Sequence, residues 1–156
     1  MMTLNCTKKM AKRLPFPLTV SPQPSTNVLG PWCANTFNVG RVPLIILTNE
    51  RTLLSVFIPL KEIRTFHDRF LDSLEILFHS IALSSDQIHR EMEEMKTVQF
   101  TNQTNRTVLG SMNDFVANVR AFDPHYSLEE IAFELTEMPC GPLKHGNPRE
   151  AVYNIL

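Results

Sequence analysis

Long apolar runs are missing from this sequence, and their absence bears on where the protein acts. No run approaches the roughly 18 consecutive apolar residues of a membrane-spanning helix. The basic residues near the N-terminus are not followed by the apolar stretch of about 7 to 15 residues that a secretory signal requires. We therefore expect a cytoplasmic protein that does not enter the membrane.

Cysteines and histidines occur, but not in the spacings that metal sites use. Cys6, Cys33 and Cys140 are odd in number and share no C-x2-C pattern, which argues against a disulfide framework and against zinc. The histidines form no H-x3-H or H-E-x2-H pattern. No third residue can be identified that would orient Cys140 and His145 as a nucleophile and its base. We expect free thiols, no metal and no cofactor.

A surplus of positive charge is also missing. A formal net charge of -1 at pH 7 does not provide the field on which sequence-independent nucleic-acid binding relies. We therefore expect no broad nucleic-acid surface, and any phosphate contact must be local. The rest of the composition is globular, since 43% of the residues are hydrophobic and 20% are charged. The 156 residues suffice for one domain with one core.

The first part of the chain has the pattern of strands. Alternating or continuous apolar residues predict strands at 2–6, 34–39, 44–47 and 53–58. Short turns separate the last three, and such turns join antiparallel neighbours but cannot form a parallel crossover, so a meander is predicted. Four prolines interrupt residues 15–27, which we interpret as a surface loop inside a single domain of residues 1–156. Trp32 is interpreted as a core anchor.

The later part of the chain has the pattern of helices. Apolar residues at three- and four-residue spacing predict one long helix over residues 61–83. Shorter helices are expected near 86–96, 105–121 and 128–137, and Ser127-Leu-Glu-Glu130 is a capping box for the last of them. The predicted fold class is α+β: a small, mainly antiparallel sheet packed by one long helix, with several shorter helices.

The strongest functional signal is the change from strand to helix after Phe100. Val98 and Phe100 alternate as on a strand, and helical spacing begins near residue 105. The polar junction between them supplies a helix cap and sets a guanidinium and several amides beside free backbone N–H groups. The candidate ligand-binding residues are Asn105, Arg106, Ser111, Asn113 and Asp114.

Two interpretations of this junction stay open. It could hold a local anion or nucleotide, or it could be a buried Asn–Arg hydrogen-bond network that fixes the adjoining loop, which is the interpretation we favour. Gly110 costs about 1 kcal/mol relative to Ala in a helix interior, so it indicates a close backbone approach by another element or a ligand.

Two charged clusters remain. A basic cluster could contact phosphates, although a solvated helix face is the more common role; it consists of Lys8, Lys9, Lys12 and Arg13. An acidic cluster on the second predicted helix is interpreted as a solvated face; it consists of Glu91, Glu93 and Glu94.

Three segments together resemble a known family. They are Leu4-Asn-Cys-Thr-Lys-Lys9, Trp32-Cys-Ala-Asn35 and, as the most specific, Thr104-Asn-Arg-Thr-Val-Leu-Gly-Ser-Met-Asn-Asp114. The chain resembles, over nearly its whole length, a small bacterial and archaeal family catalogued only as a domain of unknown function. It departs from that pattern at Val42-Pro43, where family members often carry a basic residue. The resemblance implies a common fold and no known chemistry.

Two functions follow as hypotheses. No catalytic motif is present and the specific motif is rich in amides, hydroxyls and arginine, which favours a non-enzymatic binding or interaction module with a protein partner or a local anion as its ligand. The alternative is an enzyme acting on RNA or another phosphate ester, with Arg106 as the phosphate clamp. Its acid or base would be Asp114, His125 or a histidine of the long helix.

Overall fold

Five strands form one sheet at the centre of the molecule. The computed structural model describes all 156 residues. The strands are β1 (Met2–Cys6), β2 (Trp32–Val39), β3 (Val42–Asn49), β4 (Ser55–Pro59) and β5 (Val98–Thr101). Their order across the sheet is β4-β3-β2-β1-β5. The predicted antiparallel meander of β2, β3 and β4 is confirmed.

The sheet is mixed, so the prediction of a mainly antiparallel sheet is wrong. β1 lies between β2 and β5 and runs parallel to both, with Leu4 opposite Trp32 on one side and Phe100 on the other. The physical reason is the length of the connections. β1 is followed by a four-residue helix, α1 (Lys8–Ala11), and then by residues 12–31 without helix or strand. This connection is long enough to lead the chain back along the sheet, so that β2 runs parallel to β1.

Five further helices complete the fold. They are α2 (Phe66–Ser80), α3 (Ser85–Met95), α4 (Arg106–Ala121), α5 (Leu128–Leu135) and α6 (Pro148–Ile155). The α+β class is therefore confirmed. The capping box at Ser127 and Glu130 is present at the start of α5, and a second one joins Ser84 and Gln87 at the start of α3. No helix combines the length and the apolar composition needed to cross a bilayer.

The long helix expected over residues 61–83 is replaced by two shorter segments. Residues Leu60–Thr65 form a 3-10 helix in which Glu62 has non-helical angles (φ −93°, ψ 20°), and α2 begins only at Phe66. The apolar spacing explains the error, because Ile63 and Phe66 are three residues apart and three residues complete a 3-10 turn. With 15 residues, α2 is no longer than the 16-residue α4.

The core is one cluster of 39 buried residues drawn from the sheet and the helices. Trp32 is fully buried and its ring meets that of Phe70 from α2 edge-on, with centroids 5.0 Å apart, which confirms the core-anchor interpretation. A second aromatic contact joins Phe66 of α2 to Phe100 of β5 at 6.0 Å. These contacts place α2 against one face of the sheet.

A buried carboxylate fixes the loop before β2. Glu91 of α3 is only 1% exposed, so its interpretation as part of a solvated face is wrong. Its two oxygens accept hydrogen bonds from Asn27 Nδ2 (2.8 Å) and from the backbone N–H groups of Val28 (2.8 Å) and Leu29 (3.1 Å). Three donors compensate for the loss of hydration that burial imposes on the charge.

Candidate functional site

The two candidate clusters lie at the same end of the sheet because β1 and β5 are neighbouring parallel strands. Asn5 pairs with Thr101, so the carboxyl ends of the two strands are side by side. Lys8 begins α1 two residues after β1 ends, and Arg106 begins α4 five residues after β5 ends. The sequence separates these residues by almost 100 positions, and the strand pairing reunites them.

We call this surface the basic edge; it consists of Lys8, Lys9, Lys12, Arg13 and Arg106. All five side chains are exposed. None of them takes part in the protein's ion pairs. The chain contains no Asp or Glu before Glu50, so α1 and the loop after it contribute only positive charge. The basic edge therefore carries local positive charge that the net charge conceals.

Two further arginines lie beyond the basic edge, and sequence reasoning missed them. The β2–β3 hairpin continues past the end of β1 by five residues, or about 16 Å, and Arg41 lies exposed at its turn. Arg120, near the end of α4, donates a hydrogen bond from Nε to the Asn38 carbonyl at 3.0 Å. The absence of acidic residues before Glu50 was the sequence signal that could have identified this positive end.

Asn105 is the N-cap of α4, within the polar junction where a helix cap was expected. Its Oδ1 accepts hydrogen bonds from the backbone N–H groups of Thr107 (3.0 Å) and Val108 (3.2 Å), and its carbonyl oxygen accepts one from Leu109 (2.9 Å). These donors are the ones that an anion at the helix start would use. An anion here must therefore depend on cationic side chains.

Arg106 does not form the buried network that we favoured. Its guanidinium is exposed and makes neither a hydrogen bond nor an ion pair with another residue. The short polar residues of the junction already satisfy the cap without it. The structural interpretation of Arg106 is wrong, and its charge is free to meet a ligand.

The other motif residues follow the helix away from the basic edge. Asn113 and Asp114 are exposed, whereas Ser111 is buried at 7% exposure. Asp114 lies eight residues from Arg106, which corresponds to about 12 Å along the helix. Ser111 and Asp114 line a separate cavity of about 50 Å³ beside Cys140, where burial and then the Asp114 charge raise the pKa of the thiol.

Gly110 has no close neighbour, so the inferred close approach is wrong. A Cβ built on Gly110 would meet nothing within 4 Å.

The strand ends beneath the basic edge are held by a satisfied polar chain. Thr101 Oγ1 donates to Asn5 Oδ1 at 2.5 Å, and Asn5 Nδ2 donates to Glu50 Oε1 at 2.9 Å. On the β2 side, Thr7 Oγ1 donates to Asn35 Oδ1 at 2.7 Å. These bonds join three strands and the β3–β4 connection, and they give the basic edge a fixed base.

The residues of the enzymatic alternative are not gathered around Arg106. His125 follows the C-terminal end of α4, and the 16 residues of this helix span about 24 Å. His67 Nε2 is 2.9 Å from the Met95 carbonyl, just before β5 begins, whereas Arg106 follows the other end of that strand. No group of three or more His, Cys, Asp or Glu residues could hold a metal ion.

Comparison with known proteins gives a family and no activity. Residues 3–151 match the family described as a domain of unknown function, DUF6933. No curated protein matches the chain, and no solved structure matches it. The match covers all five strands apart from Met2 at the start of β1, together with the basic edge. The chain therefore belongs to DUF6933.

Proposed function

We propose that the protein is a non-enzymatic binding module that holds a phosphate-bearing ligand at the basic edge. One observation carries the proposal: five exposed cations without ion-pair partners extend from the ends of two paired strands. Arg106 supplies the planar donor fork that suits phosphate oxygens, and the lysines supply mobile point charges. The enzymatic alternative has no comparable support.

The arrangement favours local recognition. The cations cover one end of a protein whose net charge is -1, so a ligand is attracted only where they cluster. The polar chain through Asn5 and Thr101 holds their strand ends in place, which lowers the ordering cost of binding.

Free, buried thiols at Cys6, Cys33 and Cys140 suit a reducing compartment, and we propose a cytoplasmic location for the protein.

Fluorescence anisotropy with a labelled single-stranded RNA, with pyrophosphate as a competitor, tests the proposal. Each phosphate contact on a single strand contributes about −0.7 to the slope of log K against log salt concentration. We expect Arg106→Gln to reduce the magnitude of that slope by about 0.7, and Lys8→Gln with Lys9→Gln to reduce it by about 1.4. Displacement of the RNA by pyrophosphate would show that the basic edge also accepts a small phosphate ligand.

The matched controls are Arg51→Gln, in the β3–β4 connection, and Arg90→Gln, on α3; both remove exposed cations without ion pairs at the end of the sheet where β2 and β5 begin. We expect both controls to bind as the wild type does. Arg106→Ala should change the free energy of unfolding by no more than about 0.5 kcal/mol, because the side chain has no partner. If the RNA did not bind, or if the control variants lost as much affinity as the basic-edge variants, the proposal would be contradicted. A clear loss of stability in Arg106→Ala would instead support a structural role for the side chain.

A further inference from the structure

An apolar groove lies on the opposite edge of the sheet from β5. It is bounded by α2, α5 and the edge strand β4, and its volume is about 340 Å³. Three large apolar side chains line it while remaining well exposed: Ile76 at 53%, Tyr126 at 43% and Phe133 at 36%. Isolated exposed apolar residues are common, but three around one depression mark a binding surface.

The exposed positions are not needed for the core. The side of α2 that packs inward is formed by Phe66, Phe70, Leu74, Leu77 and Phe78. Ile76 lies off that side, and Phe133 similarly lies off the buried side of α5. Within residues 1–156 no segment covers these exposed side chains.

The rim of the groove is acidic. Glu129, Glu130 and Glu134 line it and are exposed, and none of them forms an ion pair. The thirteen lining residues include no Lys, Arg or His. An occupant that covers the apolar floor must therefore bring positive charge to the rim, because like charges across an interface oppose association.

We propose that this groove docks a positively charged amphipathic segment of a partner polypeptide. Apolar side chains of the segment enter between Ile76 and Phe133, and its Lys or Arg side chains face Glu129 and Glu134. Helix-in-groove recognition combines these two features. An anionic lipid surface is repelled by the same rim. The groove and the basic edge use different residues, so this docking is independent of the phosphate ligand.

A set of three labelled peptides of about 16 residues provides the test. The first carries Leu at i, i+3, i+4 and i+7 with Lys elsewhere, the second has Glu in place of Lys, and the third has the composition of the first in an order that breaks the apolar stripe. We expect binding of the first peptide only, measured by anisotropy, with an affinity that falls as salt is added.

Variants locate the binding on the protein. Ile76→Ser with Phe133→Ser should raise the Kd for the first peptide at least about tenfold. Glu129→Gln with Glu134→Gln should raise the Kd and flatten its salt dependence, without changing the apolar floor. Val20→Ser, at a residue that is 98% exposed, and Glu75→Gln, outside the groove, are the matched controls and should leave the Kd unchanged.

Other outcomes overturn the inference. If the second peptide, with Glu, bound as well as the first, charge would not select the occupant. If the third peptide, with the broken apolar stripe, bound equally well, the apolar pattern would not select it. Binding to anionic vesicles that Ile76→Ser with Phe133→Ser abolishes would assign the groove to a membrane. Self-association that the same variant abolishes would assign it to a second copy of the chain. Absence of binding by the first peptide would also refute docking of a basic segment.

Discussion

Gly110 occupies a helix position where no close contact requires glycine. It lies in the interior of α4, and a Cβ at this position would meet nothing within 4 Å. Glycine loses more backbone entropy on folding than alanine does. We expect Gly110→Ala to raise the free energy of unfolding by about 0.5 to 1 kcal/mol, measured by urea denaturation. A loss of stability would show that the position needs glycine after all.

Gly30→Ala is the opposing control. Gly30 has a φ of +76°, and a Cβ there would lie 3.0 Å from Nε of Arg51. A side chain at this position therefore meets both backbone strain and a close neighbour. We expect a loss of about 1 to 3 kcal/mol in the free energy of unfolding.

The attachment of α3 to the loop before β2 depends on one carboxylate. Glu91→Gln replaces one acceptor oxygen with an NH2 group that faces backbone or amide donors. We expect this change to lower the free energy of unfolding by about 2 to 4 kcal/mol, again by urea denaturation. Glu93→Gln, at an exposed position two residues along the same helix, should leave it nearly unchanged, because Glu93 pairs only with the exposed Lys96. Equal effects of the two changes would contradict the assignment.

Features that depend on neighbours in the sequence were predictable. The capping box joining Ser127 to Glu130 was identified from residue type and spacing. A helix cap was likewise expected in the polar junction that contains Asn105, whose partners are two and three positions away. The meander followed from its short turns.

Features that depend on distant contacts were not predictable. Glu91 meets donors 62 to 64 residues away, and Asn5 meets Thr101 across 96 residues. Periodicity contains no information about such partners, so the burial of Glu91 and the position of β1 were missed. The basic cluster and Arg106 were each identified separately, but only the pairing of β1 with β5 places them at the same end of the sheet.

Two thiols in the sheet report on the whole fold. Burial raises the pKa of Cys6 to about 12, with a smaller contribution from Cys33. Burial, followed by the charge of Glu50, raises the pKa of Cys33 to about 12 as well. Both values exceed the ordinary 9.0. Since the folded pKa is the higher one, the stability linked to these thiols is complete below pH 9 and is lost as the pH rises towards 12.

Thiol alkylation measures this linkage. At pH 8, a pKa of about 12 lowers the thiolate fraction about a thousandfold relative to a pKa of 9.0. In a Cys140→Ala variant, we expect iodoacetamide to modify Cys6 and Cys33 only as fast as the protein unfolds, and denaturant to accelerate the reaction accordingly. Rapid modification at pH 8 without denaturant would contradict the burial of these residues.

The central position of β1 affects how the protein emerges during synthesis. β1 is translated first, yet one of its two neighbours, β5, lies 96 residues further along at the Asn5–Thr101 pair. At about 5 to 20 residues per second, a ribosome needs roughly 5 to 20 s to supply that neighbour. During this interval β1 can pair with β2, but its other edge, from Met2 to Asn5, has no partner. The protein therefore completes its sheet late, and the edge of β1 that awaits β5 is the part of the early chain most open to pairing with another strand.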